Sequence, residues 1–230
     1  MAYSFRLFLA CLLGLLLPQL AAAADVRNEM ISKQTDKLRI EIQYPVIGQP
    51  RADADISAWA QQLARNFEND YAQEPIEEEM PYELRATYTI SRPSDRAISI
   101  AWEVGTFTGG AHGNLDIITK TYDLHDGAPV DIHDLFKDLE TALNHMSVCS
   151  YNSLSESLGD MRVEDMLRGG TTPDADNFSS LALIPSGVRI YFQPYQVAPW
   201  AAGPQTVDVP LEDLMEAEPR LDLWGRPARP

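Results

Sequence analysis

The chain has 230 residues, 45% of them hydrophobic, and a formal net charge of −16 from 18 basic and 34 acidic residues. That length holds one domain or two small ones with a real core. The charge excludes bulk neutralisation of phosphates, so nucleic acid and anionic lipid are poor partners.

Met1 to Ala24 carries Arg6, an apolar run from Leu7 to Leu17, a break at Pro18 and the small residues Ala21 to Ala24. These are the parts of a secretory signal peptide, so residues 1–24 are expected to be removed. The product is periplasmic or secreted, starts near Asp25 and has no stable membrane anchor. The alternative, an uncleaved anchor, has a run shorter than the ~20 residues a spanning helix needs, interrupted by Pro18. Cys11 lacks the small-residue context of a lipidation site. Without Arg6 the mature chain is one charge more acidic, at −17. Such a charge suits a basic protein partner, or solubility alone. Cys149 is then a lone cysteine that cannot form an intrachain disulfide, and its place three residues after Met146 predicts a buried, inert thiol.

Residues 26–32 and 38–44 read as a strand pair, with Leu38, Ile40, Ile42 and Tyr44 on one face. Proline at 45 and 50 ends the pairing. Asp53 or Asp55 then caps a helix to about residue 71, whose Ile56, Trp59, Ala60, Leu63 and Phe67 form one apolar stripe made to lie on a sheet. After an acidic connector with Glu77, Glu78 and Glu79, the residues Tyr82, Leu84, Ala86, Tyr88 and Ile90 alternate as a strand. Ile98, Ile100, Trp102 and Val104 mark a second, half-buried one, and a third runs from Asn114 to Leu124. These three make an antiparallel meander. Asp126-Gly127 turns the chain, and Leu135 and Phe136 are expected to pack. A helix over 138–158, a short one over 163–167, a hairpin around Pro185-Ser186-Gly187 and a last strand with Val207, Val209 and Leu211 follow. The tail has Leu221, Leu223 and Trp224, which dock or fray.

Two stretches carry more than periodicity. Between the second and third meander strands lie Thr108, Gly109, Gly110, Ala111, His112, Gly113 and Asn114. Glycine takes positive φ without penalty, so this is a tight hairpin whose N–H groups stay accessible. The stretch serves as a turn or as a ligand loop. The second is Gln193-Pro194-Tyr195-Gln196-Val197-Ala198-Pro199-Trp200, ending at Gly203. Tyr195, Pro199 and Trp200 cannot all be strand core. Rigid loop aromatics either anchor recognition surfaces or close the end of a sheet.

Both stretches resemble the DUF3298 family of extracytoplasmic domains of unknown function, which a DUF4163 domain usually precedes. The family includes the lysozyme-sensing ectodomain of an anti-sigma factor and a non-catalytic module of a peptidoglycan deacetylase. The resemblance runs from the first strand pair to about Leu214. It implies a DUF4163-like domain over 25–118, a DUF3298-like domain over 119–215, and a tail over 216–230. It also places the two stretches side by side at one sheet end as a partner-binding surface: residues 108–114 with Tyr195, Val197, Pro199 and Trp200.

The histidines His112, His125, His133 and His145 make no metal-ligand spacing, and Asp174-Ala175-Asp176 lacks the glycine and distant glutamate of a calcium loop. No nucleophile elbow, phosphate loop or dinucleotide fingerprint occurs. His112 reads as bonded to a loop carbonyl or as part of a binding surface. No cofactor, metal or catalytic residue is expected. With six residues ahead of the apolar run, a cytoplasmic anti-sigma segment is not expected, nor is a deacetylase catalytic domain. The sequence thus predicts an α+β fold, an antiparallel sheet meander with helices packed on one face. Its expected role is non-enzymatic recognition of a lysozyme-like hydrolase, with cell-wall glycan (peptidoglycan) as the alternative ligand and a wall-acting enzyme as the competing class.

Overall fold

The structure, a computed structural model, describes residues 26–73 and 81–227. The expected leader over 1–24, with Cys11, and the acidic connector at Glu77, Glu78 and Glu79 lie outside the described residues. Strands β1 (Arg27–Gln34) and β2 (Leu38–Val46) form an antiparallel pair, and helix α1 (Pro50–Gln73) carries the chain over to β3 (Tyr82–Ser91). β3 lies parallel to β2, as a helical crossover permits. β4 (Ala97–Phe107), β5 (Asn114–Asp123) and β6 (Ala128–Val130) add antiparallel neighbours in chain order, completing a six-stranded sheet. α2 (Ile132–Leu135), α3 (Leu139–Ser157) and α4 (Glu164–Gly170) follow, then an antiparallel three-stranded sheet of β7 (Leu181–Ile184), β8 (Gly187–Phe192) and β9 (Gln205–Pro210). The expected α+β class and central meander are as observed.

α1 buries Ala52, Ile56, Ala60, Ala64 and Phe67 against Ile40, Ile42, Leu84, Ile98 and Trp102 of the large sheet. The helix starts at Pro50, earlier than a cap at Asp53 or Asp55 implies, because proline suits the first helical position. Asp53 instead reaches back from the first turn to accept hydrogen bonds from the Ile47 and Gly48 N–H groups, at 2.7 and 3.2 Å. Asp55 accepts from Lys120 Nζ at 2.8 Å and from the Tyr122 hydroxyl at 2.6 Å, fastening the helix to β5. Burial, and then the Asp55 carboxylate, push the Tyr122 phenol well above its ordinary value.

β4 departs from the half-buried strand its alternation predicts. Ala97 through Trp102 are buried on both faces. The even residues meet α1, while Ala97, Ser99 and Ala101 are small enough for the second sheet to settle on the other face. β7 crosses that face. Ser180, just before it, donates from Oγ to the Ile117 carbonyl in β5, and Leu183 N–H donates to Ser99 Oγ in β4 at 2.8 Å. The Ser99 and Thr121 hydroxyls are 2.7 Å apart in the same buried row. β8 and β9 then pack Val188, Ile190, Phe192, Val207 and Val209 onto Leu143 and Met146 of α3, with Leu135 and Phe136 buried in the same core.

Two polar joints hold the sheets together, and a third ties the C-terminal tail to the large sheet. At the first, the Gln193 side chain treats the open edge of β5 as a strand would. Its Oε1 accepts from Ile117 N–H at 2.7 Å and its Nε2 donates to the Ile117 carbonyl at 2.7 Å. The second is the Ser99–Leu183 bond. The third is Asp123, held by Arg96 at 2.8 and 2.9 Å and by Arg220 at 3.1 Å. The tail docks there too: Leu221, Leu223 and Trp224 are buried, and the indole N–H donates to the Ile184 and Gly187 carbonyls. The expected division at residues 118 and 119 falls inside β5, which is paired along its whole length with β4.

Two tests follow from these joints. The Arg96 hydrogen bonds hold the Asp123 carboxyl down at about 2, against the upward pull of its burial. A depressed carboxylate stabilises the fold above its unfolded value near pH 4 and loses that contribution as pH falls towards 2; here it is about 2 kcal/mol. The stability gap between the parent and Asp123→Asn, measured by urea denaturation, should therefore hold level from pH 6 to about pH 5 and shrink from there to pH 2.5; a gap that stays constant down to pH 2.5 would contradict the assignment. Gln193→Leu should strand the Ile117 N–H, while the carbonyl keeps the Ser180 hydroxyl, and cost about 2 kcal/mol. Hydrogen exchange should then speed up at the Ile117 amide, whereas unchanged protection there would show that Gln193 is not its partner.

Candidate functional site

The two stretches singled out in the sequence meet at one end of the large sheet. Gly109 and Gly110 take φ of 92° and 89°, turning β4 into β5. A Cβ on Gly113 would lie 2.6 Å from the Thr106 carbonyl oxygen, so only glycine lets the two arms approach this closely. The turn presents Thr108, Gly110, Ala111, His112 and Asn114 to solvent.

The aromatic loop is set from below by two glutamines. Gln193 grips β5 as described. Gln196 Oε1 accepts from Gln193 N–H at 3.0 Å, and its Nε2 donates to the Gly170 and Asn177 carbonyls at 3.2 and 3.0 Å. Val197 and Ala198 are buried in the second core, and Pro199 leads into a short 3-10 turn at Trp200–Ala202. With the loop pinned at both ends, Tyr195 is left at φ 68°, a left-handed conformation costly for a bulky residue. The residue is 57% exposed.

Trp200 sits between the two stretches. The His112 ring stacks on it with centroids 4.8 Å apart and planes 20° from parallel, and Tyr195 lies on it at 5.7 Å and 33°. His112 Nδ1–H donates to the Gly113 carbonyl at 2.8 Å, which fixes the imidazole in its stacked orientation. His112 is thus bonded to a loop carbonyl, the first of the two roles the sequence left open, and its ring is stacked on Trp200. Each such ring pair adds about 1 kcal/mol beyond its buried area. The product is a tier of three rings, half in water, over a rigid base.

Of the residues expected to form the surface, the structure brings His112, Tyr195 and Trp200 into contact and places Thr108, Gly110, Ala111 and Asn114 around the turn. Val197 is 1% exposed and anchors the loop from beneath; it offers no surface. The sequence does not mark Gln193 and Gln196 as site residues. Their only sequence signal is amide side chains flanking Pro194-Tyr195, in a loop where polar residues are expected anyway.

Among the described residues, no three His, Cys, Asp or Glu side chains gather as a metal site requires. Cys149 is half-buried, and burial followed by the Asp213 charge pushes its thiol up, away from the reactive thiolate. Among the described residues, no helix is long and apolar enough to cross a membrane.

Comparison with known proteins matches the two halves of the chain separately. Residues 31–115 match the family described as "Deacetylase PdaC", which ends at the glycine turn. Residues 133–212 match "Protein of unknown function (DUF3298)", which contains the aromatic loop. A curated relative, the peptidoglycan-N-acetylmuramic acid deacetylase PdaC of Bacillus subtilis (strain 168), is 27% identical over 183 residues, 77% of this chain; the match spans 39% of the relative's own length. Among solved structures, a DUF3298 family protein from Pseudomonas aeruginosa PAO1 is similar at 14% identity and TM-score 0.65, covering 88% of this chain and 98% of that one. A second, from Bacteroides fragilis NCTC 9343, is similar at 16% identity and TM-score 0.56, covering 85% and 94%. These two share the fold. The first half of the chain is thus similar to the PdaC family model and the second to the DUF3298 model, and 77% of the chain is similar to part of PdaC.

Proposed function

We propose that this chain is an extracytoplasmic cell-wall module that recognises glycan without catalysis, through the Tyr195–Trp200–His112 tier. The observation that carries the reading is the tier itself. Large rings are normally buried, yet here they are clamped in place, half in water, at the cost of a left-handed tyrosine. A pyranose ring has one face of C–H bonds that stacks on an electron-rich aromatic face, and rigid aromatics lose little entropy on binding. The similarity to a peptidoglycan-acting protein supports a wall ligand and a location outside the cytoplasm. Thr108 and Asn114 flank the tier and can bond sugar hydroxyls or N-acetyl groups.

A second reading rests on charge. The net of −16 suits capture of a basic, lysozyme-like hydrolase by the same surface, as the resemblance implied. The two separate by experiment. In titration calorimetry with soluble peptidoglycan fragments, Trp200→Ala and Tyr195→Ala should each weaken binding by about 2 kcal/mol while thermal melting stays near the parent's. Folded variants that bind as well as the parent would remove the tier from the site. If a lysozyme is the partner, its association should slow steeply with added salt while dissociation changes little. A salt-independent association, or none, would end that reading.

A further inference from the structure

β8 has two faces. Val188, Ile190 and Phe192 enter the core, so Arg189 and Tyr191 point the other way, with Asp208 of β9 beside Arg189. Opposite them lies the face of the large sheet that α1 does not cover. Its Thr89 and Ala101 are register partners on β3 and β4. The second sheet touches this face along β7 and rises away from it, and the wedge between them is a cleft of about 530 Å³ lined by Thr89, Ser91, Ala101, Arg189, Tyr191 and Asp208. That volume is in the range of small-ligand sites.

One run of chain joins the cleft to the aromatic tier: Tyr191 lines the cleft, and Gln193, just past the end of β8, opens the loop that ends at Trp200. Four residues of extended chain from Arg189 to Gln193 advance about 13 Å, more than one sugar ring spans. The wall's chemistry is also selective. Arg189 donates to both Asp208 oxygens, at 2.6 and 2.8 Å, so its charge is matched and the cleft does not call for an anion. What it offers are hydroxyls from Thr89 and Ser91, the Tyr191 ring, and a flat Arg–Asp pair. That pair has spare donor and acceptor positions of the kind vicinal hydroxyls can use.

We propose that the cleft between the two sheets is an extended subsite for an uncharged polyhydroxyl chain, a glycan strand that stacks one ring on the Trp200 tier and lays its following rings along Tyr191, Arg189–Asp208 and Thr89. This rests on the glycan reading of the tier and adds chain length as the specificity. An isolated sugar reaches the tier alone; a strand reaches both.

The probes are N-acetylglucosamine oligomers, from the disaccharide to the hexasaccharide, titrated calorimetrically against the purified chain. Affinity should rise about tenfold across that series, equivalent to about 1.4 kcal/mol. Tyr191→Ala, and separately Thr89→Arg on the exposed floor, should abolish the rise and leave disaccharide affinity unchanged. Trp200→Ala should weaken every length. Circular dichroism confirms folding, and the exposed floor substitution guards against a collapse of β8 being read as lost contact. If both cleft variants keep the parent's length dependence, or if the parent shows none, the extended subsite is wrong while the tier stands. If the parent binds no oligomer of any length, both readings fall.

Discussion

The structure depends on one side-chain amide. β5 is open on its outer edge at Ile117, because β6 pairs only with the far end of that strand. An unpaired N–H and carbonyl at a buried sheet junction would each cost on the order of 1–3 kcal/mol. Gln193 satisfies both at 2.7 Å, with the Ser180 hydroxyl a second donor to the carbonyl. Since Gln193 is also the first residue of the aromatic loop, the bond that closes the sheet edge sets the distance between that loop and the β4–β5 turn. The tier of rings is a consequence: Trp200 reaches His112 because the strand below it cannot slide.

The same constraint explains why two regions that match different families make one surface. The glycine turn lies at the end of the first matched region and the aromatic loop within the second. Neither has three rings by itself. The joint at Ser99–Leu183 holds the rest of the interface, Asp123 with its two arginines ties the tail to the large sheet, and the docked tail adds Trp224 against the β7–β8 hairpin. The sheets meet through small side chains and hydrogen bonds, with a wedge left open between them.

Much of the fold was legible from alternation and stripes. The apolar residues of α1, the meander and the two special stretches lie where periodicity and turn chemistry put them. Other features have weak signals. Nothing in an alternating strand names its neighbour, so the parallel pairing of β2 with β3 was hidden. Ala97, Ser99 and Ala101 looked like the outward side of a half-buried strand, yet their small size is what lets a second sheet cover them. Pro45 and Pro50 read as ending the strand pair, yet Pro45, in β2, is paired with Asn28 and Pro50 begins α1. Of the site, the two loops were visible as glycine and aromatic clusters. Gln193 was not, because an amide that replaces a backbone partner looks the same in sequence as one facing water.

The central claim is that the ring tier is a contact surface, and nuclear magnetic resonance tests it at the atoms involved. With the Trp200 indole, the His112 ring and the Tyr195 ring assigned, an N-acetylglucosamine oligomer is titrated into the labelled protein. The account predicts saturable shifts at all three rings, largest at the Trp200 indole, with the buried indoles of Trp102 and Trp224 unmoved. Saturable binding that leaves the Trp200 and His112 signals in place would contradict it.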